Sequence, residues 1–484
     1  MSISNALGSA LSGLSASARA ASVVSSNVAN ANTDGYGVRR LAVTSMTYGT
    51  YGGVRVVGIT RDSDPVLTGQ RRDAGAAQGH ADTRAGYLAR IETLIGTPDT
   101  PGSLSGHFDD FEARLVSAAS RPDSQSRLEG VLQSAQRLAG RLNGLSDGIQ
   151  SIRLEADRQI GTQVETLNRS LAAIHDLNIS IRSAVSRGED ALGLQDQQQA
   201  LIDTISDLVP IRERRNDAGM VTLYTGDGVS LLDGRPAQFG FTPAAAITPD
   251  MTYADGDLSG LTVNGRPVTL DGSYGALQGG RLAALFEVRD SITTKAQAQL
   301  DGVAMDLAAR MDDPGLDPTL GPTDPGLFTD AGARASALNE TGLAARLRIN
   351  AATDPAQGGA VWRLRDGIGA GAEGDAGNPA LLQGRLQILQ ADRPTASAVF
   401  SGTSRSMSEL SADFLSLTAT DRHFAEADLS HASGQYATLR EAELRGGVDT
   451  DGEMQRLLEI ETSYAANARV VSTVEEMLDQ LMRI

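Results

Sequence analysis

Cysteine is absent from this chain of 484 residues. Without a thiol there is no disulfide framework, no thiolate nucleophile and no cysteine-bound metal. Aromatic residues make up only 4%, and Trp362 is the single tryptophan, which by default reads as a core or interface anchor. No run approaches the ~20 apolar residues that cross a bilayer, so no membrane insertion is expected. Residues 1–33 lack the basic start, continuous apolar core and cleavage pattern of a secretory leader, so no cleaved signal peptide is expected. Positive charge is scarce: the net charge is −18, and Lys295 is the one lysine among the basic residues. Such a surface does not neutralise phosphates, which argues against a nucleic-acid partner.

Chemistry-bearing patterns are missing as well. Five histidines are present. His423 and His431 lie eight residues apart on a helical pattern, roughly 12 Å, too far to share one ion. The zincin pair, the phosphate-binding loop, the Gly-x-Ser-x-Gly elbow and the dinucleotide glycine pattern do not occur. Asp449-Thr450-Asp451-Gly452-Glu453 lacks the spacing and distal glutamate of a calcium loop. It reads better as an acidic helix start that complements the macrodipole. The expectation is no catalytic residue, no metal and no cofactor: the chain is not an enzyme.

What is present is a seam at each end. A 4-3 spacing runs through Ile3, Leu7, Ala10, Leu14, Ser17, Ala21, Val24 and Val28. A 3-4 spacing runs through Leu457, Ile460, Tyr464, Asn467, Val471, Val474, Leu478 and Leu481. A seven-residue repeat keeps one narrow face turned toward a neighbouring helix. Between Met1 and Thr33 the only charged residue is Arg19, so the first helix has no solvated charged face. Rich in Ser, Asn and Gly, it is weak alone and is expected to order only when neighbours cover it. The last helix has an ordinary wet face, with eight acids and three arginines from Asp449 to Ile484. Asn27, Asn30 and Asn32 read as backbone-bonding residues that end the first helix. Arg39-Arg40 reads as a solvated turn or a subunit contact.

Between the ends, residues 38–62 look extended. Helices are expected over 80–97, 105–120, 124–156, 158–187 and 191–208. Two further heptad runs carry the long pair, Leu128 to Ile152 and Ile160 to Val185, with Asn178 as a register-setting polar member. The period then switches to two. Met220–Tyr224 and Val229–Leu232 flank a glycine turn, and Leu261–Val263 and Val268–Leu270 flank Asn264-Gly265, both hairpin signals. Pro267 marks an edge strand. A helix over 280–311 precedes a proline-rich linker. Leu347, Ile349, Val361, Trp362 and Leu364 suggest short strands, and 367–379 an exposed loop. Residues 405–445 return to helix, and Gly446-Gly447 and Asp449 supply a break and an N-cap.

The fold class is mainly α with β subdomains (α+β), nested so that the chain goes out and returns. Residues 1–60 with 436–484 form a terminal α-helical coiled-coil domain. Residues 61–312 with 401–435 form a long helical-bundle domain with β-hairpins at about 211–275. Residues 313–400 form a small inserted mixed β/loop domain.

Two segments carry a family resemblance. Ser25-Ser26-Asn27-Val28-Ala29-Asn30-Ala31-Asn32-Thr33-Asp34-Gly35-Tyr36 resembles the N-terminal signature of bacterial flagellar axial proteins (rod, hook and hook-associated). Glu461-Thr462-Ser463-Tyr464-Ala465-Ala466-Asn467-Ala468-Arg469-Val470-Val471-Ser472-Thr473 resembles their C-terminal signature. Gly280–Asp290, running on to Leu307, and Asp196–Ile211 are similar to stretches of the hook-associated members at the hook–filament junction.

The resemblance implies a structural component that joins hook to filament by helical polymerisation. The expected assembly contacts are Ile3, Leu7, Leu14, Val24, Val28, Asn30 and Tyr36 with Leu457, Ile460, Tyr464, Asn467, Val471, Val474, Leu478 and Leu481. The implied partners are copies of itself in a helical ring, hook protein, a second hook–filament junction protein, the flagellar type III export apparatus and an export chaperone. The implied location is extracellular, on the flagellum. Two alternatives stay open: another axial component (hook or filament-side junction), and an exported enzyme with axial-type ends whose catalytic part lies in 313–400.

Overall fold

The computed structural model describes residues 3–33, 35–48, 51–216, 218–268, 277, 279–400 and 404–482. The chain opens with helix α1 (Ile3–Ala29), followed by an antiparallel hairpin of β1 (Val38–Tyr48) and β2 (Tyr51–Asp62). Helices α2 (Pro65–Ile95), α3 (Leu104–Ser120), α4 (Gln125–Ser186) and α5 (Leu192–Leu208) follow. The expected start of α2 at residue 80 is corrected to Pro65. Proline at the first helical position is pre-set for helix, and the Asp64 carboxylate accepts from the amides of Val66 and Leu67.

The two helices expected over 124–156 and 158–187 are one rod of 62 residues. The stripe steps by four three times, from Ile152 through Ala156 and Ile160 to Val164, and all four are buried. That shift in phase locally adjusts the seam without breaking the helix. Each large aliphatic side chain withdrawn along this face contributes about 1.5–3 kcal/mol.

A four-stranded sheet runs in the order β3 (Ile211–Arg215), β4 (Val221–Thr225), β5 (Ser230–Asp233), β6 (Arg235–Pro236). A second, three-stranded sheet runs β7 (Phe239–Gly240), β8 (Thr262–Val263), β9 (Arg266–Pro267). Both hairpin signals fall on antiparallel pairs, β4 with β5 and β8 with β9. Asn264 and Gly265 both take positive φ, as a two-residue hairpin turn requires. Pro267 lies on the edge strand; Thr269 and Leu270 lie outside the described residues.

Asn178 accepts from the Gln198 side chain of α5 at 3.0 Å, and it also reaches a strand. Its side chain bonds the backbone N–H and carbonyl of Val221, and Asn168, ten residues earlier, does the same for Phe239. The long helix thus clips one strand of each sheet through an asparagine.

The next rod is α6 (Gly280–Glu287), a π-helical turn (Val288–Ile292) and α7 (Thr293–Met311). At the π turn Arg289 is fully buried on Asp157 of α4, 2.8 Å away, and its backbone carbonyl accepts from Arg153. The proline-rich stretch after Met311 holds no helix.

The section beyond holds β10 (Phe328–Asp330) paired with β11 (Leu347–Ile349), single-turn helices α8 (Leu343–Arg346) and α9 (Arg363–Asp366), and helix α10 (Ala380–Gln390). Leu347 and Ile349 are in a strand, but Val361, Trp362 and Leu364 are not. They enter α9, and Trp362 is half-buried under the Arg363 guanidinium, 5.0 Å from its ring. The 367–379 loop is mostly exposed, yet Gly367 and Ile368 are buried, the latter held by an amide bond to Asp317.

A short pair, β12 (Arg393–Pro394) with β13 (Ser404–Arg405), leads to α11 (Met407–Arg445), which opens on a capping box of Ser406 and Glu409. The last helix is α12 (Thr450–Met482), whose Asp451 amide donates to the Asp449 side chain. One continuous apolar core runs from Tyr87 to Phe414, and α11 lies back along α2.

Candidate assembly interface at the two termini

The two seams meet each other. α1 packs along α12, and the β1–β2 hairpin lies against α1. Two contacts fix the pairing. The Asn27 amide donates to the Glu453 carboxylate at 3.0 Å. An added side chain on Gly13 would meet the Asn467 side chain at 2.8 Å, so glycine is what lets the helices approach there. Fourteen residues separate Gly13 from Asn27, and fourteen separate Glu453 from Asn467, so both contacts obey one antiparallel register. In that register Ile3 stands opposite Met477, and α12 overhangs the described start of α1 from Leu478 onward.

The seam residues divide by position. Val24 and Val474 are buried; Ile3, Leu7, Leu14, Val28, Leu457, Ile460, Asn467 and Val471 are half-buried. Tyr464, Leu478 and Leu481 face outward, with Leu481 58% exposed. Both helices pack against each other within one chain. α1 is covered by α12 and the β1–β2 hairpin, and α12 by α1.

Sequence reasoning missed the polar node at the base of this pair. Asn27 is fully buried. Its oxygen accepts from the Tyr36 hydroxyl at 2.9 Å and the Arg39 amide at 3.0 Å. Its nitrogen donates to the Arg39 carbonyl at 2.9 Å and to Glu453. One side chain thus joins α1, the turn after it, the first strand and the last helix. Asn30 caps locally, donating to the Ser26 carbonyl. Gly35 turns the chain at φ +79° with its backbone near Asp196.

Arg39 is a structural residue rather than a solvated one: it pairs with Asp196 of α5 at 3.0 Å and lies over the Tyr36 ring. Arg61 takes the other oxygen of Asp196 at 2.9 Å. Arg40 makes an exposed pair with Asp62.

A second network ties α2 to α5, α11 and β3. Arg71 and Arg72 of α2 are buried and share Asp203 of α5, at 2.8 and 2.6 Å. Arg71 also pairs with Glu443 near the end of α11, and Arg72 with Glu213 of β3. Burial would lower the Arg71 guanidinium, but Asp203 and Glu443 outweigh it and raise it. Burial would likewise raise the Glu213 carboxyl, but Arg72 and Arg215 hold it below its ordinary range. Gly446 and Gly447, just beyond Glu443, separate α11 from α12.

Among the described residues no group of three His, Asp or Glu is placed to hold a metal, and no helix is long and apolar enough to cross a membrane. The geometry does mechanical work. It binds the first and last segments of the chain into one unit and leaves apolar side chains on its outside.

Stretches of the chain match known protein families. Residues 88–314 match the family described as the flagellar hook-associated protein FlgK helical domain. Residues 7–36 match the flagella basal body rod protein family, and 445–484 the flagellar basal body rod FlgEFG protein C-terminal family. The flagellar hook-associated protein 1 of Bacillus subtilis is 24% identical over 517 aligned positions, covering 97% of this chain and 96% of that one. That of Salmonella typhimurium is 27% identical over 310, covering 62% of this chain and 56% of its own length. A solved structure, the flagellar hook junction protein FlgK from Burkholderia pseudomallei, overlaps 54% of this chain and 46% of its own at 20% identity. Its TM-score of 0.44 carries no weight here. With rod-type matches at both ends and the helical-domain match between them, the chain is similar along most of its length to flagellar hook-associated protein 1.

Proposed function

We propose that this protein joins the flagellar hook to the filament, polymerising with copies of itself in a helical ring through α1 and α12. Residues 1–60 with 436–484 serve as the assembly domain, 61–312 with 401–435 as the helical body, and 313–400 as the inserted part. Hook protein lies on one side of the ring and a second junction protein on the other. Its work is mechanical, with no catalysis. Its place is extracellular, reached through the flagellar type III export apparatus with an export chaperone.

One observation carries this reading: the antiparallel pairing of α1 with α12 leaves Tyr464, Leu478 and Leu481 outward. Apolar side chains held outward on a rigid pair are the usual mark of a protein contact. Assembly repays the ordering of a weak first helix only if each new subunit contact exceeds that cost.

Deletion of the gene in a motile strain tests it. The expected result is intact hooks with unpolymerised flagellin shed into the medium. Filaments of normal length on those cells overturn it.

A further inference from the structure

The β1–β2 hairpin carries a feature that its own chain does not use. A two-stranded hairpin is marginal unless something covers it. The register slips between Ala42 and Val43, so Val57 is an extra residue with no cross-strand partner. It is 63% exposed, the most exposed large apolar side chain of the hairpin, and Val43 beside it is also exposed. Bulges of this kind re-aim a side chain. Next to it stands Arg55. The other hairpin arginines, Arg39, Arg40 and Arg61, are paired with Asp196, Asp62 and Asp196. Arg55 forms no ion pair among the described residues.

The end of α12 has the opposite character. Glu475, Glu476 and Asp479 alternate with exposed Met477 and Leu481, and none of the three acids has an ion-pair partner among the described residues. The strip runs past the described start of α1 from Leu478 onward, and Met477 and Leu481 stay exposed. The two features sit at different heights along the terminal pair. Ser9 bonds the Gly52 carbonyl and Ser12 accepts from the Val54 amide, which ties the hairpin to the first half of α1. Val57 lies three strand residues beyond Val54, about 10 Å toward the Asn27 end and level with the middle of α1, so the strip at 475–481 stands about 20–30 Å further along the axis.

Resting on the junction reading, we infer that the hairpin of one copy docks on the overhanging end of α12 of the next. Val57 meets the Met477 and Leu481 side chains, and Arg55 meets the acidic row. The occupant is a second copy because charge and apolarity are complementary across the two surfaces, and a lateral neighbour offset by about four to five helical turns brings them together. The contact is heterologous: one surface of each copy meets a different surface of the next, which builds open helical or ring arrays.

The absence of cysteine makes a clean test. Val57→Cys and Leu481→Cys are expressed together in swimming cells, and whole flagella are treated with mild oxidant and run without reductant. A two-chain adduct that needs both variants supports the contact. An adduct from Val57→Cys alone means hairpins meet each other, one from Leu481→Cys alone means helix ends meet, and either overturns it. Cells that keep filaments but give no adduct overturn it while leaving the junction reading standing.

A charge exchange provides the second readout. Arg55→Glu and Glu476→Arg each lower filament retention, by roughly tenfold, and the double variant restores it. Failure of the double to restore what the singles lose overturns the pairing.

Discussion

The side-chain amide of Asn27 donates to the carboxylate of Glu453 across 3.0 Å, and these two residues stand 426 positions apart in the chain. The same asparagine bonds both backbone groups of Arg39 and the Tyr36 hydroxyl. Replacing it leaves several buried groups unsatisfied at once, each worth about 1–3 kcal/mol. Asn27→Ala is therefore expected to weaken the terminal pair by about 2–4 kcal/mol. Amide exchange should accelerate across α1 and α12 and stay unchanged in α4. Uniform acceleration throughout the chain would contradict a local node.

Gly13 is the second fixed point of the pair. Glycine in mid-helix ordinarily costs about 0.5–1 kcal/mol against alanine, so a free position would gain from substitution. Here an added Cβ meets Asn467 at 2.8 Å. Gly13→Leu should separate the helices and abolish filament attachment while leaving the thermal midpoint of the helical body in place. Normal swimming in that variant would show that the approach is dispensable.

Arg310 holds the inserted section to the body. Its guanidinium bonds Asp306 at 2.6 Å and the carbonyls of Ile388, Ala391 and Arg405, all in the returning chain. Removing one partner of a buried ion pair costs about 3–5 kcal/mol because the other charge is left uncompensated. Arg310→Ala should lower stability by that amount in denaturant titrations and should open 313–405 to protease first. Arg310→Ala combined with Asp306→Ala should recover part of the loss. No recovery would mean that the carbonyl contacts, not the charge pair, dominate.

Asp301 gives a pH signature. Burial raises its carboxyl from 3.8 to about 6, against the amides of Ala344 and Gly342 and the Gln297 side chain, which favour the charged form. The folded state keeps this proton to a higher pH than the unfolded chain does. Between those two values the folded state binds more protons, so its contribution to stability is present below pH 4 and is lost as pH rises to about 6. At about 1.4 kcal/mol per pH unit, wild type should lose about 2–3 kcal/mol relative to Asp301→Asn between pH 4 and 7. Unfolding curves of the two proteins at each pH measure this. A pH-independent difference would contradict it. Asp312 is raised to about 6 by the same cause and leaves a residual slope in the variant.

Much of this was legible where a physical signal is local. The Leu128 to Ile152 run is buried to its last member because an apolar stripe at helical spacing has no other stable destination. Asn264-Gly265 marks its turn because few other residues take positive φ twice in succession. The start of α2 was not legible from periodicity. Residues 65–79 are mostly glycine, alanine and polar side chains, and only Asp64-Pro65 announces the helix. Trp362 escaped because a half-buried ring under its neighbour's guanidinium looks the same in sequence as a core ring. The assembly seam was legible as two stripes, but the node that registers them was not. Asn27 and Glu453 are both polar, lie at opposite ends of the chain, and gain meaning only once α1 and α12 run antiparallel.

Amide exchange on the lone chain and on flagella that contain it measures the central claim most directly. Slower exchange is expected on assembly in residues 3–29 and 450–482, greatest from 470 onward, with no change in 125–186. Equal exchange at both termini in the two states would contradict an assembly surface formed by these helices.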